Sequence, residues 1–213
     1  MQSLLTDHFA AFRALHGVSL PQLKAVSRLK LCRTAALAAH AQCCPHGHIQ
    51  GVWYNSCKHR ACPQCCALPQ ERWLRRLSSV LLDCPHHHMI FTLPAELHPL
   101  WRFNRERFAE LLFAAVHRTL QTFGADPKYL AAMPGVISCL HTWGRDLSLH
   151  PHMHCLLTHG GLNDAGDWVL PRKSVLFPQK ALMLVYRGKL LAALRRALLA
   201  GELVVPTDRS LQQ

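Results

Sequence analysis

The segment Leu149-His150-Pro151-His152-Met153-His154-Cys155-Leu156-Leu157 leaves this chain few choices of local structure. Pro151 cannot continue a helix and biases His150 towards extended backbone. The apolar run after it has strand length, so residues 152–158 are expected as β-strand. Alternation along a strand then puts His152, His154 and Leu156 on one face and Met153, Cys155 and Leu157 on the other, with the two imidazoles about 7 Å apart. Met153 anchors the strand in a core. Two neutral imidazoles at this spacing can chelate one cation, and the alternative is a pair of histidines satisfied by ordinary hydrogen bonds.

The rest of the composition narrows what such a strand could serve. The chain has 213 residues, half of them apolar, and 24 Lys and Arg against 12 Asp and Glu, a formal charge of +12. That excess favours a polyanionic partner, nucleic acid first and an anionic membrane second, bound in a salt-sensitive way. His8, Arg13 and His16 interrupt the apolar start, and later apolar runs are soon cut by charge, so neither an export signal nor a membrane segment is expected and the protein is read as cytoplasmic. In that reducing compartment cysteines serve as metal ligands or buried thiols rather than disulfides. Six of the ten cysteines lie between Cys43 and Cys66.

Within that block, Cys43 and His46 are separated by two residues, Cys62 and Cys65 likewise, with fifteen residues between the pairs. This is the two-knuckle spacing of structural zinc sites, and Gly47 and Pro63 suit the tight turns that aim both ligands inward. Cys44, His48, Cys57, His59 and Cys66 are alternative donors, Cys57 first among them, and their number leaves room for a second metal. A segment so rich in loops has little core of its own and would draw its folding free energy from zinc.

Around the block, residues 3–40 read as helical: Leu4, Leu5, Phe9, Phe12 and Leu15 recur at helix spacing, Gly17 interrupts, and Pro21 opens a second helix. A basic amphipathic helix is expected over 67–82, ending at Asp83-Cys84-Pro85, which divides the chain into domains 1–83 and 84–213. Beyond it come a strand over 88–94, a helix over 96–123, a strand over 136–143, the histidine strand, a possible short strand at 168–170 and a basic helix over 178–200. The fold class is α+β, a helical metal-binding N-terminal region followed by an antiparallel sheet with packed helices.

Set side by side, these pieces resemble the rolling-circle HUH transposases of the insertion sequence 91 family. Cys32-Arg33-Thr34-Ala35-Ala36-Leu37, Tyr54-Asn55-Ser56-Cys57 and Arg60-Ala61-Cys62-Pro63-Gln64-Cys65 are similar to its zinc-binding region. Ile90-Phe91-Thr92-Leu93-Pro94 resembles its first rolling-circle motif, and Leu140-His141-Thr142-Trp143-Gly144 with His150-Pro151-His152-Met153-His154 its HUH motif. The resemblance implies nicking of single-stranded transposon ends by a tyrosine hydroxyl, leaving a 5′-phosphotyrosine and a free 3′-OH. It implies that His152 and His154 hold Mg²⁺ or Mn²⁺ against the scissile phosphate, with His141 as third ligand and His88 a weaker choice.

Three departures from the family pattern stand out. His46 replaces a cysteine, Ala61 replaces a histidine, and the family's tyrosine pair lies downstream of Gln213, so the resemblance implies a truncated transposase in a partial HUH domain. Tyr54, Tyr129 and Tyr186 are the available tyrosines, and Tyr186, on a helix beside Arg187 and Lys189, is the candidate nucleophile among them. A zinc-dependent DNA-binding module without catalysis and a metal-dependent hydrolase using activated water are the competing expectations.

Overall fold

The computed structural model describes residues 1–146, 148–173 and 175–206. Residues 207–213 of the expected second domain lie outside the described residues. Two compact units divide the chain, Met1–Leu81 and Leu82–Gln213.

In the first unit, α1 (Gln2–Leu15) and α2 (Leu20–Leu31) form where the apolar periodicity places them. Ser19 precedes α2, its backbone N–H donating to Gln22 Oε1 at 2.8 Å. The expectation of helix as far as residue 40 fails: a short 3₁₀ turn at Ala35–Leu37 leads into the hairpin β1 (Ala39–Cys43) and β2 (Ile49–Tyr54). The alanine-rich stretch has helix propensity, but tertiary pairing overrides it. Arg33 N–H bonds to Asn55 O (3.0 Å) and Asn55 N–H to Ala38 O (3.0 Å), tying the base of the hairpin together. Helix α3 (Pro63–Ser78) starts four residues before the expected 67, because Pro63 takes a first-turn position with Cys62 as its N-cap.

The second unit holds β3 (His86–Thr92), α4 (His98–Phe103), α5 (Arg105–Ala125), β4 (Met133–Trp143), β5 (Leu149–Leu162), β6 (Trp168–Val169) and α6 (Gln179–Leu199). The expected 96–123 helix is broken at Asn104. Its backbone leaves helical geometry (φ −133°, ψ 36°), and its buried side chain donates to Leu100 O and Val204 O, each at 2.8 Å, and accepts from Val204 N–H at 2.7 Å.

The sheet is antiparallel in the order β3-β5-β4, with β6 pairing the end of β5. The histidine strand is twice the expected length because β4 pairs along it from Met133 opposite Leu162 to Trp143 opposite Leu149. Pro151 is tolerated within it by offering only its carbonyl, which accepts Leu93 N–H at 3.2 Å. One face of β5, Met153, Cys155 and Leu157, is fully buried in the core with Phe108, Leu112, Val116 and Leu120 of α5 and Leu190 and Leu194 of α6. The other face carries the histidines. The architecture is α+β, with helices packed on one side of an antiparallel sheet.

Two candidate metal centres

In the first unit the structure converges four thiols, Cys32, Cys57, Cys62 and Cys65, with all Sγ atoms within 4.8 Å of one another. Cys32 follows the last turn of α2, Cys57 follows β2, Cys62 caps α3 and Cys65 lies in its first turn. The Sγ separations of 3.4 Å (Cys32–Cys65) and 3.6 Å (Cys57–Cys65 and Cys32–Cys62) match the edge of about 3.8 Å expected for a tetrahedron with zinc–sulfur bonds near 2.3 Å. Arg33 and Lys58, each directly after a cysteine, take positive φ (56° and 51°), which turns the chain sharply around the cluster. The described core here is small: Leu29 and three of the cysteines are buried, with Leu5 and Leu37 packed against them.

The thiols behave as one electrostatic group. Burial pushes the Cys32 thiol up to about 12 and raises Cys57 as well. Burial acts the same way on Cys65, but hydrogen bonds from the Cys32, Cys57 and Cys62 thiols outweigh it and bring Cys65 down to about 6. A cluster that concentrates anionic character on one sulfur encircled by three more is a donor set suited to a soft dication.

The expected ligands divide accordingly. Cys62 and Cys65 belong to the cluster, and so does Cys57, the substitute donor. Cys43 and His46 do not: both are exposed, Cys43 at the end of β1 and His46 in the hairpin turn. Cys32, which the two-knuckle spacing does not include, is the remaining thiol of the cluster. It lies eleven residues before Cys43, outside the cysteine-rich block, and the hairpin between Cys32 and Cys57 closes the gap. A usable signal existed in the local repeat, Cys32-Arg33 and Cys57-Lys58, a cysteine followed by a basic residue at each sharp turn. His59 and Cys66 are engaged elsewhere, His59 Nδ1 accepting from Ala61 N–H (3.1 Å) and Cys66 Sγ donating to Arg60 O (2.7 Å).

In the second unit, His141, His152 and His154 bring imidazole nitrogens within 4.8 Å of one another. Sheet register places them: His141 of β4 sits directly opposite His152 of β5, and His154 is two residues along the same face. Ring centroids lie 5.4 Å (His141–His152), 4.3 Å (His141–His154) and 4.9 Å (His152–His154) apart. His152 Nδ1 donates to His150 O at 2.6 Å, which sets the tautomer and leaves Nε2 as the donor atom for a ligand. His154 Nδ1 pairs with His88 Nε2 at 2.7 Å, again leaving Nε2. His88 is therefore an orienting neighbour, and His141 completes the group. Burial, then the neighbouring His141, His152 and His88, lowers the His154 pKa, which favours the neutral form of the ring, the form that binds a cation.

Tyr186 does not reach this face. It is buried at 8% exposure against Phe91, on the core side of the sheet, and its hydroxyl donates to Thr92 O at 3.2 Å. Burial raises its pKa, which disfavours the phenolate a nucleophile needs. Tyr129 is also packed inward, against Phe123 and Phe177. Neither tyrosine of the second unit is presented to the three imidazoles. Among the described residues no helix is long and apolar enough to cross a membrane.

Comparison with known proteins matches two separate stretches of the chain, the first extending past the first unit through β3. Residues 4–93 match the family described as "Transposase zinc-binding domain", and residues 135–212 the family described as "Putative transposase". The chain is 35% identical over 200 residues to "Putative transposase y4qJ" of Sinorhizobium fredii, an overlap of 93% of this chain and 50% of that protein. It is 33% identical over 163 residues to "Transposase for insertion sequence element IS801" of Pseudomonas savastanoi pv. phaseolicola, covering 76% of this chain and 38% of the relative. The chain thus spans half or less of these relatives. Solved structures of the conjugative relaxase TrwC in complex with oriT DNA are similar at TM-scores of 0.39 (metal-bound; 16% identity, 51% of this chain and 42% of that chain) and 0.41 (copper-bound; 18% identity, 56% and 46%).

Proposed function

We propose, from the premise that this chain belongs to the insertion sequence 91 family of transposases, that it carries the zinc-stabilised DNA-gripping region and the metal-binding sheet of a strand-nicking enzyme. The observation that carries this reading is the convergence of His141, His152 and His154 on the sheet face opposite the core. In the first unit Cys32, Cys57, Cys62 and Cys65 would hold zinc as a structural ion. In the second, the three imidazoles would hold Mg²⁺ or Mn²⁺, an ion that polarises a phosphoryl oxygen and offsets charge developing in the transition state.

The protein's own part in the chemistry is positional. The sheet register holds His141 beside His152, the His150 carbonyl fixes one ring and His88 steadies another, so the ligand atoms are oriented before DNA arrives. In the complete reaction a tyrosine hydroxyl attacks phosphorus, the bond to the 3′ oxygen breaks, and that oxygen leaves as a 3′-OH while the 5′ phosphate stays on the tyrosine. Because Tyr129 and Tyr186 are packed into the core, neither offers that hydroxyl at the three imidazoles, and the part assigned to these residues is to bind metal and single-stranded DNA. The same observation favours, as a second reading, a DNA-binding module with no cleavage of its own.

The test is incubation of the chain with Mn²⁺ and a labelled single-stranded transposon end. Mn²⁺ binding followed by electron paramagnetic resonance should be lost in His152→Ala and His154→Ala. No denaturation-resistant protein–DNA adduct should form. An adduct abolished by Tyr186→Phe would overturn the assignment of that residue, and unchanged Mn²⁺ binding in both histidine variants would overturn the site.

A further inference from the structure

The hairpin of the first unit carries an aromatic side chain arranged as a surface platform. Trp53 on β2 is 48% exposed, and the end of its indole lies directly over Gly51, two residues back on the same face. A Cβ at position 51 would come within 2.5 Å of the ring, so glycine is what lets the far end of the indole rest against the strand. Across the hairpin, His40 is the register partner of Trp53, and its ring stacks on the indole at 5.9 Å with planes 20° apart. Gln42, opposite Gly51, completes the face with a side-chain amide. None of these three side chains is buried, and no residue of either strand is.

A half-exposed tryptophan outside the described buried core, yet held in place against a glycine and an imidazole, is organised to receive a flat apolar partner. Charge says which. Residues 1–81 hold ten Lys and Arg against two Asp and Glu, a net of +8 of the whole chain's +12. A basic unit bearing a preset indole, with amide and imidazole groups beside it, has the chemistry for an unpaired base of a polyanionic strand.

We infer that Trp53, cradled by Gly51 and His40, is a stacking site for an unpaired nucleobase, so that the zinc unit grips single-stranded DNA through a base as well as through phosphates. This rests on the DNA-partner part of the proposed function and is independent of the imidazole centre.

The experiment measures, with the full chain, binding of a fluorescent single-stranded oligonucleotide and of an abasic oligonucleotide of the same length. Trp53→Ala should weaken binding of the base-containing strand by about 5- to 150-fold, the range of a lost base–aromatic stack, and leave the abasic strand unaffected. The salt dependence should not change, because no charge is removed. Trp53→Phe should recover much of the affinity. Gly51→Val, which keeps the indole but displaces it, should weaken binding in the same base-dependent way, and zinc content equal to the parent's identifies variants that fold. His152→Ala should retain the difference between the two strands, which separates failure of the metal centre from failure of the platform. Equal weakening on both strands, or no weakening on either, would overturn the inference. So would a Trp53→Ala variant that loses self-association in sedimentation and keeps full DNA affinity, since the platform would then serve a second copy of the chain.

Discussion

Replacing Cys32 by serine tests the zinc assignment where sequence spacing and structure disagree most. The first unit has little else to hold it together: Leu29 and three cysteines are its described buried apolar residues. A fully buried leucine contributes about 1.5–3 kcal/mol, whereas ordering each residue's backbone costs about 1–2 kcal/mol. Metal binding must therefore supply much of the balance, and structural zinc sites provide about 10–16 kcal/mol in small peptides. Loss of a group that merely orients a ligand costs roughly 10- to 100-fold in metal affinity, so loss of a ligand should cost more than about 100-fold, or about 2.7 kcal/mol. Zinc affinity measured by competition with a chromophoric chelator should fall by at least that factor in Cys32→Ser. Hydrogen exchange across α2 should rise at zinc concentrations that saturate the parent, while β3–β5 stays protected. Cys43→Ser and His46→Ala should bind zinc within about twofold of the parent, as exposed substitutions do. Parent-like zinc affinity in Cys32→Ser, with loss in Cys43→Ser or His46→Ala, would refute the four-thiol centre.

Three further outcomes follow from the second unit. Tyr186→Phe removes the hydrogen bond to Thr92 O and should lower stability to urea by about 0.5–1.5 kcal/mol while leaving Mn²⁺ and DNA binding intact; a loss of either would place the residue in the site. Met153→Ala, a fully buried side chain on the core face of the histidine strand, should cost about 2–5 kcal/mol, read from the shift in denaturation midpoint. His87 has its pKa lowered by burial and by His159, whose Nδ1 lies 2.6 Å from His87 Nε2. The folded state thus binds fewer protons here than the unfolded chain, and the stability this provides is present above pH 6.5 and is lost as pH falls through the lowered folded value. The melting temperature should drop on acidification below pH 6.5, and His87→Gln should flatten that part of the profile; an unchanged profile would remove the pair from the pH response.

Much of the second unit was legible because its signals are local and periodic. Pro151 and the alternation after it specify an extended strand with two imidazoles on one side, since side chains in a strand must alternate, and this required no knowledge of the rest of the fold. Helix α6 falls within the expected 178–200, and α5 overlaps the expected 96–123. The break at Asn104 was not, because it depends on Val204, one hundred residues away.

The zinc unit shows the opposite case. Cysteine spacing indicated a metal, and Cys57, Cys62 and Cys65 were within its reach. The fourth thiol of the cluster was brought in only when β1 paired with β2 and carried Cys43 and His46 out to the tip while drawing Cys32 back to Cys57. Likewise the residue facing His152 was decided by strand register, and the fate of Tyr186 by which side of the sheet α6 packs on. Sequence by itself determined which residues could bind metal and which way neighbours on one strand point, because those depend on chemistry and backbone geometry a few residues long. Only tertiary structure decided which of them meet, because that depends on contacts between residues far apart in the chain.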